Sequence, residues 1–370
     1  MKSVSSKAAD LVRRAFENVD PQKQIDYHTH IAGVGQGNSG AFVNPRMLTW
    51  KNPFHRIKFS VYRTACGVVN EAKTDEEMVH RLADLIRNNP FHGKHRLLAF
   101  DKHYRPDGTV NFEKTEFYVP NEYVFAIADK HPDIFIPAIS VHPYREDALS
   151  ELQKWEARGA RMIKWLPNAM GIDPSNPKCD AYYQKVKELG LILLSHGGEE
   201  KAVESKEDQK LGNPLLLRRA LDHGVKVILA HCAGLGTNED LDNPGKTVSN
   251  FELFLRLMDE PRYEGLIFGD ISAMTQFNRL GLPITTILLR EDLHARLVNG
   301  SDYPLPAINF LIPMKPLVRH GYIKAEQMGL FREIYKSNPL VFDFVLKRNL
   351  VAPGTNKRFP DSVFQSHPEL

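Results

Sequence analysis

The sequence predicts an α/β chain folded as a (β/α)₈ TIM barrel, with an elaborated first βα loop and extra C-terminal helices. Three observations carry this expectation. From residue 95 onward, short runs rich in Ile, Leu, Val and Phe alternate with longer stretches of helical spacing. The runs are apolar almost throughout, as strands of a parallel sheet buried on both faces must be. A glycine separates the helix-like stretch from the next run at Gly159, Gly190 and Gly224, the residue type that ends a helix before a turn.

The first strand is expected at residues 24–31. Seven more follow at 96–101, 134–141, 161–166, 191–196, 225–231, 266–271 and 296–301. Eight strands close a barrel of about 250 residues. Helices are expected at 146–158, where Leu149, Leu152 and Trp155 recur at helical spacing, and at 180–189, 214–223, 250–258 and 283–293. An open doubly wound sheet is the alternative, but no strand here leads into a Gly-rich phosphate turn. Residues 32–94 exceed one helix and read as an elaborated first loop. Gly33, Gly35, Gly37, Gly40 and the cluster Phe54-His55-Arg56 suit a lid or a subunit contact. Residues 304–348 carry helical patterns that would pack beneath or beside the barrel. The chain thus divides into an N-terminal extension (1–23), a barrel domain (24–348) and a polar, irregular C-terminal tail (349–370). Neither an internal repeat nor a low-complexity segment is visible.

Composition narrows the function classes. Of 370 residues, 42% are hydrophobic and 25% charged, and the net charge is only +3. Lys and Arg are scattered, which argues against a nucleic-acid partner. No segment reaches the roughly 18 apolar residues of a membrane span, and the N-terminus lacks the apolar core of a signal peptide. Cys66, Cys179 and Cys232 are far apart, which speaks for a reducing compartment over a disulfide framework. The expected location is the cytoplasm, and the expected partner a small-molecule substrate.

In such a barrel, chemistry gathers at the C-terminal ends of the strands. Those positions hold His28 and His30, Lys164, His196, His231, Asp270 and Asp302. Side chains alternate along a strand, so His28 and His30 share a face, where two imidazoles can hold one metal ion. By contrast, His80, His92, His131, His223 and His320 fall in helices or loops and read as solvated or capping residues. His142 follows the third strand and would line the pocket or shape a turn. Lys102, His103 and Arg105 would suit an anionic substrate group or form a solvated loop. Asn168 and Asp173 lie in a Gly/Pro-rich loop after Lys164, at the active face. Asp270 would hold a substrate or orient a ligand. Cys232, beside His231, reads as a packed small residue before it reads as a nucleophile.

Five segments carry a family resemblance: Asp26-Tyr27-His28-Thr29-His30, Ile163-Lys164-Trp165-Leu166-Pro167, Leu194-Ser195-His196-Gly197, Leu229-Ala230-His231-Cys232 and Gly300-Ser301-Asp302-Tyr303-Pro304. In this order, and with the closing Asn338-Pro339, the chain resembles the amidohydrolase superfamily of metal-dependent hydrolases. Within it, the resemblance is to the branch that includes aminocarboxymuconate-semialdehyde decarboxylase. The resemblance implies metal ligation by His28, His30, His196 and Asp302, with Asp302 also accepting a proton from the metal-bound water and His231 assisting. Zinc suits three imidazoles and a carboxylate. Lys164 stays open between substrate contact, a carbamate that bridges a second metal, and a buried amine. Two reactions are implied: hydrolysis of an amide, ester or lactone by metal-activated water, or non-oxidative decarboxylation of an unsaturated or aromatic carboxylic acid. A homo-oligomer, a dimer, is implied as well.

Overall fold

The computed structural model describes residues 4–49, 51–201 and 206–370. Among them, eight parallel strands run in chain order: β1 (Ile25–His30), β2 (Lys94–Leu98), β3 (Phe135–Ala138), β4 (Met162–Trp165), β5 (Ile192–Ser195), β6 (Lys226–Leu229), β7 (Ile267–Asp270) and β8 (Leu297–Val298). They pair as one sheet of three, β1-β2-β3, and one of five, β4 to β8 in sequence order. No continuous ladder joins the two sheets among the described residues, yet both seams are bridged. Ile139 pairs with Ile163 between β3 and β4. At the other seam, Tyr27 N donates to Asn299 O at 2.9 Å, Asp302 N to His28 O at 2.7 Å and His30 N to Tyr303 O at 3.1 Å. This is the expected parallel barrel, with strand ends trimmed by one to three residues where backbone pairing ends, except that β2 starts at Lys94, two residues before the expected 96.

Alternation within the strands sorts two apolar layers. Leu98, Ala138, Met162, Ile192, Leu194, Ile228, Phe268 and Val298 form the interior cluster, while Leu97, Ile163, Leu193, Val227 and Leu297 face the surrounding helices. In β4, Lys164 shares the inward face of Met162, and is therefore aimed into the barrel. β1 departs from simple alternation. Its register against β2 shifts between Asp26 and Thr29, a bulge that lets both Tyr27 and His28 turn inward.

The outer helices follow the expected spacing. Leu152 and Trp155 of Ala148–Ala157 are fully buried against the barrel, and each such side chain contributes about 1.5–3 kcal/mol relative to exposure. Two expected helices break part-way. Residues 214–223 form a 3₁₀ turn, Pro214–Leu217, before the α-helix Arg218–Asp222. Residues 283–293 form Leu282–Leu289 and then a 3₁₀ segment, because Arg290 leaves helical geometry (ψ 69°).

The first loop folds into two long helices, Pro53–Ala65 and Thr74–Arg87, which cover the C-terminal mouth of the barrel. The N-terminal extension contains a helix, Ser6–Ala15, capped by the Ser5 side chain and packed on Gln327–Ser337 and Pro339–Asn349. Asn338 caps the latter helix through Leu340 N and Val341 N, and donates to Leu85 O at 2.6 Å. The tail is irregular as expected, but it is not a polar surface strand. Phe359, Val363 and Phe364 are buried, Val363 O accepts from Asn299 N at 2.8 Å, and His367 N donates to Tyr27 Oη at 2.9 Å. It plugs the end of the barrel opposite the mouth.

Candidate metal centre

Three donors meet at the mouth. His28 Nε2 lies 3.1 Å from His30 Nε2 and 3.5 Å from Asp302 Oδ1, and His30 Nε2 lies 3.3 Å from the same oxygen. Atoms that share an ion at about 2.0–2.2 Å must stand about 3.0–3.5 Å apart, so these separations fit common ligation. His231 joins the group: ligand atoms of His28, His231 and Asp302 all lie within 4.8 Å of one another. Asp302 divides its oxygens, with Oδ1 toward His28 and His30 and Oδ2 at 3.7 Å from His231 Nε2.

The strand ends are bent to make this possible. His231 (φ 55°), Ala273 (φ 54°) and Asp302 (φ 57°) each follow a strand in the left-handed region, at a cost of about 1–2 kcal/mol apiece for non-glycine residues. Gly300 is required beside them, because a Cβ there would sit 2.6 Å from the Cβ of His28.

Asp270 organises the layer beneath. Its Oδ2 accepts from His28 Nδ1 at 2.8 Å, and its Oδ1 accepts from His231 N at 3.1 Å and Ser272 N at 2.8 Å. Ser272 Oγ donates to the same carboxylate and lies 2.8 Å from His231 Nδ1, so it accepts from that nitrogen. Both rings are thereby fixed with Nδ1 protonated and the Nε2 lone pair turned to the cavity, the form that binds metal. Burial lowers the pKa of His28, His196 and His231, which keeps them neutral. Burial pushes the Asp302 carboxyl up, but His28, His30 and Lys164 outweigh it and hold the group below its usual value.

His196 lines the same cavity, 3% exposed, and among the described residues its Nε2 has no hydrogen-bond partner. A buried unpartnered nitrogen is costly unless it serves a ligand. Glu200, four residues further along the chain in the loop after β5, places Oε2 3.5 Å from that nitrogen. Lys164 Nζ lies 2.9 Å from His28 Nε2, and burial brings its amine down to about 8.

The structure puts other candidates outside the cavity. His142 is fully buried and shares hydrogen bonds with Met170 O and Tyr144 N, so it shapes a turn. Asn168 is spent on Gly198 O and Gln209, tying two loops together. Lys102 lies over the Tyr118 ring and Arg105 binds Val110 O. Cys232 donates to Asp270 O at 3.3 Å, and burial raises its thiol pKa far above the usual value.

The cavity of about 280 Å³ is walled by Phe59 and Tyr62 of the first-loop helix, Phe100, Phe117, Leu166 and Leu305. Sequence reading did not single out Tyr62, Glu200, Gln276 or Arg279, which also line it. Glu200 could have been noticed from its spacing after His196. The others carry no local signal, since only the folded loops bring them to the mouth.

Among curated proteins none matches this chain. Solved structures resemble it at low identity. An uncharacterized TIM-barrel protein from Bordetella bronchiseptica is 15% identical with a TM-score of 0.52, covering 88% of this chain and 99% of its own. A 5-carboxyvanillate decarboxylase from Novosphingobium aromaticivorans with bound manganese is 10% identical, TM-score 0.47, over 89% of this chain and 96% of its own. A 4-oxalomesaconate hydratase from Rhodopseudomonas palustris is 12% identical, TM-score 0.43, over 88% and 97%. The first of these shares the barrel fold. The family model described as amidohydrolase matches residues 25–307, from β1 through the Asp302 turn. The chain belongs to the amidohydrolase family.

Proposed function

We propose that this chain is a metal-dependent hydrolase of an amide, ester or lactone-type small molecule. The observation that carries the reading is the divided Asp302 carboxylate, one oxygen among the imidazole donors and the other facing His231. His28, His30, His196 and Asp302 would hold one divalent ion, and an all-imidazole nitrogen set with one carboxylate favours zinc. When bound, the ion supplies an activated water and a Lewis acid for the acyl oxygen.

The chain's own residues do the rest. Asp302, kept ionised by its neighbours, takes the proton of the attacking water and returns it to the leaving group. His231 presents a neutral Nε2 beside it and orients that water or the scissile group. The first-loop helix with Phe59 and Tyr62 covers the cavity and excludes bulk solvent. Lys164 acts as a substrate contact or positioning amine next to His28.

Decarboxylation of an unsaturated or aromatic acid is the second reading, favoured by the apolar walls around the donors. No described helix is long and apolar enough to cross a membrane. The three buried free thiols accord with a reducing, cytoplasmic setting, and a homodimer completes the reading.

The test loads the protein with zinc or manganese and screens amides, esters, lactones and unsaturated acids, following the product acid by liquid chromatography and CO₂ separately. Acid release without CO₂ supports hydrolysis, and CO₂ release would replace it by decarboxylation. His196→Ala should lose metal and turnover together, and full metal retention would contradict the ligand assignment.

A further inference from the structure

Arg279 lies in the segment after β7, and the fold holds that segment tightly. Gln276 N donates to Ala273 O at 3.0 Å, Phe277 N to Leu311 O at 2.9 Å and Arg279 N to Gln276 O at 2.9 Å. The Arg279 side chain is thereby directed to the cavity wall, where it is only 7% exposed. Its Nη1 donates to the neutral Gln276 Oε1 at 3.1 Å, and among the described residues its Nε has no partner. Asp302, Glu200 and Asp270 act on it only through space, with no hydrogen bond from its guanidinium to any described carboxylate.

A guanidinium taken out of water without a carboxylate partner is a costly arrangement. Its planar donors match an oxyanion in two-point contact. The surroundings select which oxyanion. A single guanidinium facing apolar walls, Phe59, Phe100, Phe117 and Leu305, in a cavity of about 280 Å³ matches a carboxylate on an apolar body, with Lys164 lying apart from it beside His28. A phosphate dianion carries one charge more than the Arg279 guanidinium alone balances.

We infer that Arg279 is the specificity-determining anchor for a substrate carboxylate, held apart from the group on which the metal centre acts. Gln276 is the positioning residue that fixes the guanidinium plane. The inference rests on the cavity being the substrate site of the proposed enzyme, and it names the substrate as a compact organic acid with an apolar body. The carboxylate on Arg279 neutralises the buried charge, and its apolar body displaces water from the walls. Acids should therefore be selected over their neutral isosteres before any chemistry occurs.

The test titrates benzoate, benzamide and phenyl phosphate calorimetrically into full-length protein, both metal-loaded and chelator-treated. Wild type should bind benzoate at least about tenfold more tightly than benzamide in both states, as a charge-assisted contact predicts. Arg279→Met should lose that preference while keeping wild-type metal content, and Arg279→Lys should keep part of it. Arg279→Met should also melt at or above the wild-type temperature, because it removes a buried, poorly compensated charge. Equal binding of benzoate and benzamide to wild type would overturn the inference, as would tighter binding of phenyl phosphate than benzoate. A preference that vanishes with the metal and persists in Arg279→Met would place the carboxylate on the ion instead. A variant that melts well below wild type and keeps the preference would mark a purely structural arginine. A protein that binds no metal yet shows the Arg279-dependent preference would sink the metal reading and leave this one standing.

Discussion

His28 Nδ1 and Asp270 Oδ2 stand 2.8 Å apart, although 242 residues separate them along the chain. Both are essentially inaccessible to solvent. This contact is where the opening strand and β7 commit to one another, and it sets which nitrogen of His28 meets the cavity. The same carboxylate also pins the backbone of His231. A single buried group thus orients a candidate ligand and the candidate proton partner.

Replacing Asp270 with Asn keeps the shape and removes the charge. Asn cannot accept on both of its polar atoms, so either the His28 contact or the His231 contact is weakened. Metal affinity should fall about 10–100-fold, the usual effect of removing a ligand's outer hydrogen-bond partner. Competition with a chromophoric chelator measures it, and unchanged affinity would show that Asp270 serves folding alone.

Lys164 can be read through its mass. Its amine, lowered to about 8 by burial, is neutral often enough near pH 8 to react with CO₂. Its 2.9 Å contact with His28 Nε2 suits a positioning amine and one metal. The expected result is an unmodified lysine with one ion per chain, measured by native mass spectrometry and metal analysis on the same sample. Two ions with a carbamate at Lys164 would replace this by a binuclear site.

A pH effect should come from a buried pair on the helix Pro339–Asn349. Asp343 and Lys347 pair at 2.6 Å, one turn apart on a buried helix, and Lys347 also donates to Gly300 O. Burial pushes the Asp343 carboxyl up to about 6 despite the lysine. Between its unfolded value of 3.8 and 6, the folded state therefore binds more protons than the unfolded one. Stability from this group is greatest at low pH and is lost as pH rises through 6. Wild type compared with Asp343→Asn in urea melts should thus gain relative stability from pH 7 to pH 5. A difference that is flat, or that grows with pH, would contradict the assignment.

What could be read from the chain was whatever repeats along it. Buried parallel strands announce themselves as apolar runs, and residues at their C-terminal ends can be counted, so His28, His30, Lys164, His196, His231 and Asp302 were legible. The bulge in β1 was not, because it arises from pairing with β2 and leaves no mark on composition. Arg279 sits in Gln-Phe-Asn-Arg-Leu, which reads like any solvated loop until Gln276 and the β7 turn bury it. His142 showed the opposite failure. It follows a strand, but the Met170 carbonyl claims its ring before the cavity can. Position at a strand end supplies opportunity, and local hydrogen bonding decides whether a side chain stays free to use it.

The tail gives the last test, since it reads as polar and irregular in sequence and contributes buried aromatic side chains to the core. Phe364 is fully buried, 5.1 Å from the Phe344 ring, with the Arg348 guanidinium 5.0 Å from its centroid. Phe344 belongs to the same helix as Asp343, so the tail, that helix and the closed end of the barrel form one packed unit. Truncating a buried phenylalanine leaves a cavity and costs about 3–5 kcal/mol. Phe364→Ala should therefore destabilise the chain by about that amount in urea, while metal content stays at the wild-type level because the donors lie at the opposite end of the strands. Loss of metal in a still-folded Phe364→Ala protein would mean that the two ends are coupled through β1, where Tyr27 Oη accepts the tail's His367 N–H one residue before His28. A stability change under about 1 kcal/mol would mean that the tail only rests on the barrel, since surface substitutions fall in that range.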